Sequence, residues 1–217
     1  MKKTAIILDL DGTILDTLED LTDSVNHALR EGGFPQRTID EIRTFVGNGA
    51  KNLIIRALPD GESEETLNKT LSAFKEHYET NKTNKTAPYA GICDVLSSLQ
   101  KSGCKLAIVS NKHDDAVWGL YKKFFSDVCD FALGNCDFLP KKPAPDMVLY
   151  AIEKIGEKVE NAVYIGDSEV DVVTAKNTNI PCISVTWGFR SEDILKEAGA
   201  EIIAHTPQDI ITALENL

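Results

Sequence analysis

The chain has 217 residues and a mass of 23.8 kDa, enough to bury a core without disulfide staples and between the usual lengths of one domain and two. Its 34 acidic and 23 basic side chains leave a net charge of −11, which disfavours an extended nucleic-acid surface because binding to phosphate backbones comes from Lys and Arg; a small anionic substrate needs only a local positive site. Five cysteines without a CxxC pair argue against a disulfide framework or zinc site and for a reduced, cytoplasmic setting, and Met1–Leu10 meets an aspartate too soon for a signal peptide or membrane span.

In chain order, the first apolar run is Ala5-Ile6-Ile7-Leu8, read as a strand. From Asp16 to Ala87 no strand pattern follows, only helical periodicity over 17–31, 38–45, 49–58 and 63–80. Within it, Thr38-Ile39-Asp40-Glu41 has the pattern of a capping box, and the polar stretch from Thr80 to Thr86 reads as a return linker, near 80–88. Beyond it, strands and helices alternate. Strands are expected at 106–109, 130–133, 162–165, 182–185 and 201–204, and helices at 91–102, 114–125, 144–156, 169–178, 191–198 and 207–216. Continuous apolar strands with helices between them imply an α/β fold, a doubly wound, Rossmann-like parallel sheet covered on both faces. Residues 1–15 and 88–217 would form this core, and 16–87 an inserted α-helical cap after the first strand, over the sheet edge where such folds bind ligands.

Polar residues collect where these strands end. Asp9-Leu10-Asp11-Gly12-Thr13 follows the first; in extended backbone, residues two apart point the same way, which would turn both carboxylates toward one site. Such a pair needs a cation or a raised pKa, and either equips one member as nucleophile and the other for proton transfer; a strand-end turn that caps the next segment is the alternative. Ser110 and Asn111 end the second core strand, able to bind a phosphate oxygen or to cap the coming helix. Lys142, set against Pro143, is the better placed of the pair Lys141-Lys142 to neutralise an anion, or else it is a solvated loop lysine. After the strand at 162–165, Gly166-Asp167-Ser168 precedes a helix in which Asp171 lies one turn on; carboxylates so placed suit magnesium and can cap the helix as well. The four groups converge only if the sheet is parallel.

These motifs, in this order, resemble those of the haloacid dehalogenase superfamily, and in particular its phosphatases with a helical cap inserted after the first motif. The resemblance implies that Asp9 attacks phosphorus and forms an aspartyl-phosphate, that Asp11 protonates the leaving oxygen and then activates water, and that Ser110, Asn111 and Lys142 hold the phosphoryl group. It implies a Mg2+ cofactor bound by the carboxylates of Asp9 and Asp167 and the backbone carbonyl of Asp11, with Asp171 behind them. An aspartate at position 11 points away from the dehalogenases and ion pumps of the same superfamily, and His113 departs from the proline often found there. Gly47-Asn48-Gly49, with Arg43 before it and Arg56 after, is similar to the cap segment of phosphoglycolate phosphatases and could close on a small anion, or be a plain helix–helix turn.

The expected function is therefore Mg-dependent hydrolysis of a small phosphorylated metabolite, phosphoglycolate first. A pyrophosphatase, nucleotidase or sugar-phosphate mutase of the same superfamily is the near alternative, and a non-enzymatic phospho-receiver the distant one. The Trp187-Gly188-Phe189 segment after a strand could line the cap interface, with core packing the favoured reading.

Overall fold

The computed structural model describes residues 3–217, and they fall into two compact units divided at Leu15/Asp16 and Ala87/Pro88. The larger unit contains a sheet of six strands: β1 (Ala5–Leu8), β4 (Lys105–His113), β5 (Phe131–Asn135), β6 (Ala162–Gly166), β7 (Cys182–Val185) and β8 (Ile202–Ala204). Their order is β5-β4-β1-β6-β7-β8 and every neighbouring pair is parallel. Helices α5 (Ile92–Lys101), α6 (Asp114–Phe124), α7 (Asp146–Lys154), α8 (Glu169–Thr178), α9 (Glu192–Glu197) and α10 (Pro207–Glu215) form the crossovers and the end of the chain.

The side-chain alternation of β1 explains why its run is apolar without a break. Ile6 and Leu8 pack with Val95 and Leu99 of α5, Val117 and Leu120 of α6, and Ile210 and Leu214 of α10. Ala5 and Ile7 point the other way, into a layer with Met147, Val148 and Ala151 of α7 and Ala175 of α8. A strand buried on both faces has no polar position to spare, and all four β1 residues are fully buried. The first polar residue that the sheet can tolerate is the one just past its edge, Asp9.

The smaller unit holds α1 (Leu18–Glu31), α2 (Ile39–Phe45), α3 (Ala50–Ala57) and α4 (Glu64–Asn81). Thr38 and Glu41 form the capping box expected of them, the Thr38 hydroxyl accepting from Glu41 N–H at 3.2 Å and Glu41 from Thr38 N–H at 2.7 Å. Two short strands, β2 (Leu15–Asp16) and β3 (Ala87–Pro88), pair where the chain passes between units. They went unforeseen because two residues are too short for a periodic signal.

The stretch from Thr80 to Thr86 differs from the linker expected. Helix α4 continues into it as far as Asn81, and the buried carboxylate of Asp20, on α1, accepts from the backbone N–H groups of Lys85 at 3.0 Å and Thr86 at 2.8 Å. Polar composition marks a segment without apolar packing, but a single buried acceptor orders its backbone. Among the described residues no helix is long and apolar enough to cross a membrane.

Candidate functional site

Parallel strands bring their carboxyl ends to one edge, and β1 lies between β4 and β6. Asp9 keeps a backbone bond to β6, its N–H donating to the Ile165 carbonyl at 2.9 Å, so its side chain leaves the sheet where the strands of Ser110 and Asp167 also end. Gly12 turns the chain with φ +86°, a conformation that side chains resist, and a methyl there would also overlap the Asp167 carboxylate.

Lys142 organises the interior of the site. Its ammonium donates to Asp9 Oδ1 at 2.7 Å, to Asp171 Oδ1 at 2.8 Å and to the Tyr164 hydroxyl at 2.8 Å, and the side chain is almost wholly buried. Asp171 accepts also from Tyr164 at 3.1 Å, while its Oδ2 takes the hydroxyl of Ser168 at 2.6 Å and its N–H at 3.1 Å. Both oxygens of Asp171 are thus committed to donors, and the residue fixes Lys142 and begins α8 with a capping box. Burial alone would lower the Lys142 pKa, but Asp171 and Asp9 outweigh it and hold the ammonium charged well above the usual range.

Asp167 is held from two sides, by the Thr13 hydroxyl on Oδ1 at 3.0 Å and by the Phe189 N–H on Oδ2 at 2.7 Å. Burial raises its pKa well above the ordinary carboxylate value, and Asp171 and Asp9 raise it further. Asp9 is pushed up to about 7, by burial first and by Asp171 and Asp11 besides, against the opposing pull of Lys142. Ligand oxygens of Asp9, Asp167 and Asp171 lie within 4.8 Å of one another. An all-oxygen set of this kind fits a hard divalent cation, whose charge would return such carboxylates to the ionised form. All three carboxylates already accept from protein donors: Lys142 on Asp9, Thr13 and Phe189 on Asp167, and Lys142, Tyr164 and Ser168 on Asp171.

Ser110 is buried within β4, which runs on to His113 past the end expected at 109, with an irregular register between Val109 and His113; its hydroxyl accepts from the Lys112 N–H at 3.3 Å. Asn111 donates its amide to the Lys142 carbonyl at 3.0 Å and so fastens the loop that carries the lysine. Asp11 is paired with Lys112, Nζ to Oδ1 at 2.7 Å, with both side chains largely buried. Gly47, Asn48 and Gly49 belong to the helical unit, where they connect α2 to α3, with Asn48 accepting on its carbonyl from Asn52 at 3.0 Å.

Four participants escape sequence reasoning. Lys112 and Thr13 are single polar residues beside stronger motifs, and Tyr164 sits inside an apolar run that hides its hydroxyl. The Trp187-Gly188-Phe189 segment does more than pack: the Phe189 N–H holds Asp167, the Trp187 indole donates to the Thr13 carbonyl at 3.0 Å, and Gly188 lies so close that a methyl would strike Asp167. Backbone donors leave no trace in residue type.

Fold and site together define a class: a doubly wound α/β enzyme whose strand ends gather buried carboxylates around a lysine. Residues 6–185 match the family of haloacid dehalogenase-like hydrolases. The chain is 30% identical over 212 residues to phosphoglycolate phosphatase 1 of Pseudomonas aeruginosa, covering 95% of this chain and 78% of that protein. It is 34% identical over 188 residues to the phosphoglycolate phosphatase of Agrobacterium fabrum, covering 84% and 80%. A solved structure from Lactobacillus delbrueckii subsp. bulgaricus, assigned as a phosphoglycolate phosphatase, superposes with a TM-score of 0.94 at 36% identity over 99% of both chains. The chain belongs to the haloacid dehalogenase-like hydrolase family.

Proposed function

We propose that the protein hydrolyses a small phosphorylated metabolite, phosphoglycolate in first place, through an aspartyl-phosphate on Asp9. Within its family, relatives along the whole chain make it a phosphatase, a phosphoric monoester hydrolase. The observation that carries the mechanism is Asp9 itself, a buried carboxylate at the end of the central strand, 2.7 Å from the Lys142 ammonium and within 4.8 Å of the acidic pair Asp167 and Asp171.

An Asp9 oxygen attacks phosphorus and the ester P–O bond breaks. Asp11 gives its proton to the departing oxygen. It then takes a proton from water, which attacks the same phosphorus, releases inorganic phosphate and restores the Asp9 carboxylate. Both displacements bring negative groups together, so the chemistry depends on positive charge set in place beforehand. Lys142 supplies part of it at the phosphoryl oxygens, with the Ser110 hydroxyl as a further donor and Asn111 keeping the lysine loop in position. Asp9, Asp167 and the Asp11 carbonyl would hold a magnesium ion, which would supply the rest by polarising the phosphoryl group. Residues 16–87 serve as the cap, with Gly47-Asn48-Gly49 as its substrate loop. Splitting the reaction in two matters because phosphate-monoester hydrolysis calls for acceleration of up to ~10²¹-fold. The names of the relatives support phosphoglycolate.

The test is phosphate release, with magnesium, from phosphoglycolate, pyrophosphate, nucleoside monophosphates and hexose phosphates. Phosphoglycolate is expected to have the highest kcat/KM, a chelator to abolish turnover, and Asp9→Asn to lower kcat on the order of 10⁴-fold or more. An Asp9→Asn protein as active as the parent overturns the mechanism; a better substrate elsewhere in the panel overturns the assignment of phosphoglycolate.

A further inference from the structure

We propose that Lys112 is the specificity residue of this site, its ammonium reading a carboxylate carried by the leaving alcohol. The protein then favours phosphomonoesters with an anionic group one or two carbons from the ester oxygen. The inference rests on the reading of Asp11 as the proton donor to that oxygen.

The site holds two lysines with different partners, Lys142 buried and Lys112 part-buried. Lys142 is committed to Asp9, Asp171 and Tyr164, all on the side of the nucleophile. Lys112 faces the other carboxylate, Asp11 Oδ1, at 2.7 Å, and only 8% of its side chain is exposed against 13% for Asp11. Lys112 follows Ser110 by two residues on β4, and the Ser110 hydroxyl accepts from the Lys112 N–H at 3.3 Å. The ammonium therefore lies where a leaving group would lie, next to the residue that must hand that group a proton.

Two conditions make this placement selective. Asp11 has to bring a proton to the leaving oxygen, and a carboxyl that carries one and has turned away no longer neutralises the ammonium beside it. A buried ammonium exchanges one anion for another at little cost, but surrenders an anion for nothing at considerable cost. A carboxylate on the leaving alcohol takes Lys112 over as Asp11 turns. An uncharged leaving group gives nothing in exchange, and sites built to pair a substrate group discriminate strongly against analogues that lack it.

The experiment compares kcat/KM for phosphoglycolate and for ethyl phosphate, close in size but without the carboxylate, in the magnesium-loaded parent, Lys112→Met and Lys112→Arg. Loss of the contact to Asp11 lowers both substrates by a shared factor, and the ratio of the two values isolates the carboxylate contact. The parent is expected to prefer phosphoglycolate, Lys112→Met to reduce that preference on the order of 10–100-fold, and Lys112→Arg to keep most of it. Residual turnover of ethyl phosphate and the circular dichroism spectrum report whether each variant is folded, and Lys112→Gln takes the place of a Lys112→Met protein that is not. An unchanged ratio in the folded, uncharged variant overturns the inference, as does a parent that cleaves both esters equally well; the phosphatase reading survives both outcomes. A parent that cleaves neither ester overturns that reading, and the role of Lys112 falls with it.

Discussion

Buried charge at Lys142 is tolerable only because it is shared. The ammonium meets two carboxylates and a hydroxyl, and removing one partner from such a group costs more than the contact was worth, since the other charges stay buried. Lys142→Met should therefore lower the unfolding free energy by about 3–5 kcal/mol, measured by denaturant titration, on top of any effect on phosphate release. Tyr164→Phe removes one hydroxyl from the same network and should cost about 1–3 kcal/mol. Similar losses in both variants would mean that the ammonium contributes no more than a neutral hydroxyl. At this scale the sequence was legible where chemistry is announced by neighbouring residues. Asp9 and Asp167 stand beside a second acid or a glycine at a strand end and Lys142 beside a proline in the loop after β5, and the structure brings all three together. Tyr164 and Lys112 carry no such marker: their partners lie 22 and 101 residues away along the chain.

Elements were easier to read than contacts, because periodicity records burial. The apolar runs of β1, β6 and β7 are strands, and the helices lie within one or two residues of the expected spans, since caps and glycines set their ends. What periodicity does not record is a loop held by backbone donors, as at Phe189 and Lys85. Gly188 offers a direct test of one such loop. Gly188→Ala forces a methyl against Asp167, so metal-dependent activity should fall by about 10–100-fold while circular dichroism still reports a folded protein; parental activity would show that the loop gives way freely.

In the helical unit, the rings of His27 on α1 and His77 on α4 stack with centroids 4.1 Å apart, and His77 shares a hydrogen bond with the Ser24 hydroxyl at 3.0 Å. Burial lowers the His77 pKa below the usual 6.5, His27 and Arg30 lower it further, and Asp23 and Glu31 oppose them. The folded state then binds protons less readily than the unfolded state. The stability linked to His77 is fully present above about pH 6.5 and is lost as the pH falls below it. Thermal unfolding followed from pH 7.5 down to pH 5 should show this decline, and His77→Gln should flatten it; an equal decline in the variant would assign it to other groups.

For the whole molecule, the alternation of strands and helices carried the parallel sheet, and the sheet in turn carried the convergence of the motifs. Parallel pairing was legible because helical crossovers impose it, whereas the order β5-β4-β1-β6-β7-β8 is set by packing that residue type does not record. A cation held at Asp9 and Asp167 joins segments distant in sequence, so magnesium should stabilise the molecule against unfolding, by about 2.7 kcal/mol at a hundred times its dissociation constant. Asp167→Asn should abolish that stabilisation, and a thermal shift that persists in the variant would place the metal elsewhere. The position of β1 has a further consequence, for synthesis. The strand leaves the ribosome early, yet one of its flanking partners begins at Lys105 and the other at Ala162. At about 5–20 residues per second, the nascent chain carries four consecutive apolar residues without their second neighbour for on the order of ten seconds. For that interval, shielding them falls to the exit tunnel, to early helices or to a chaperone.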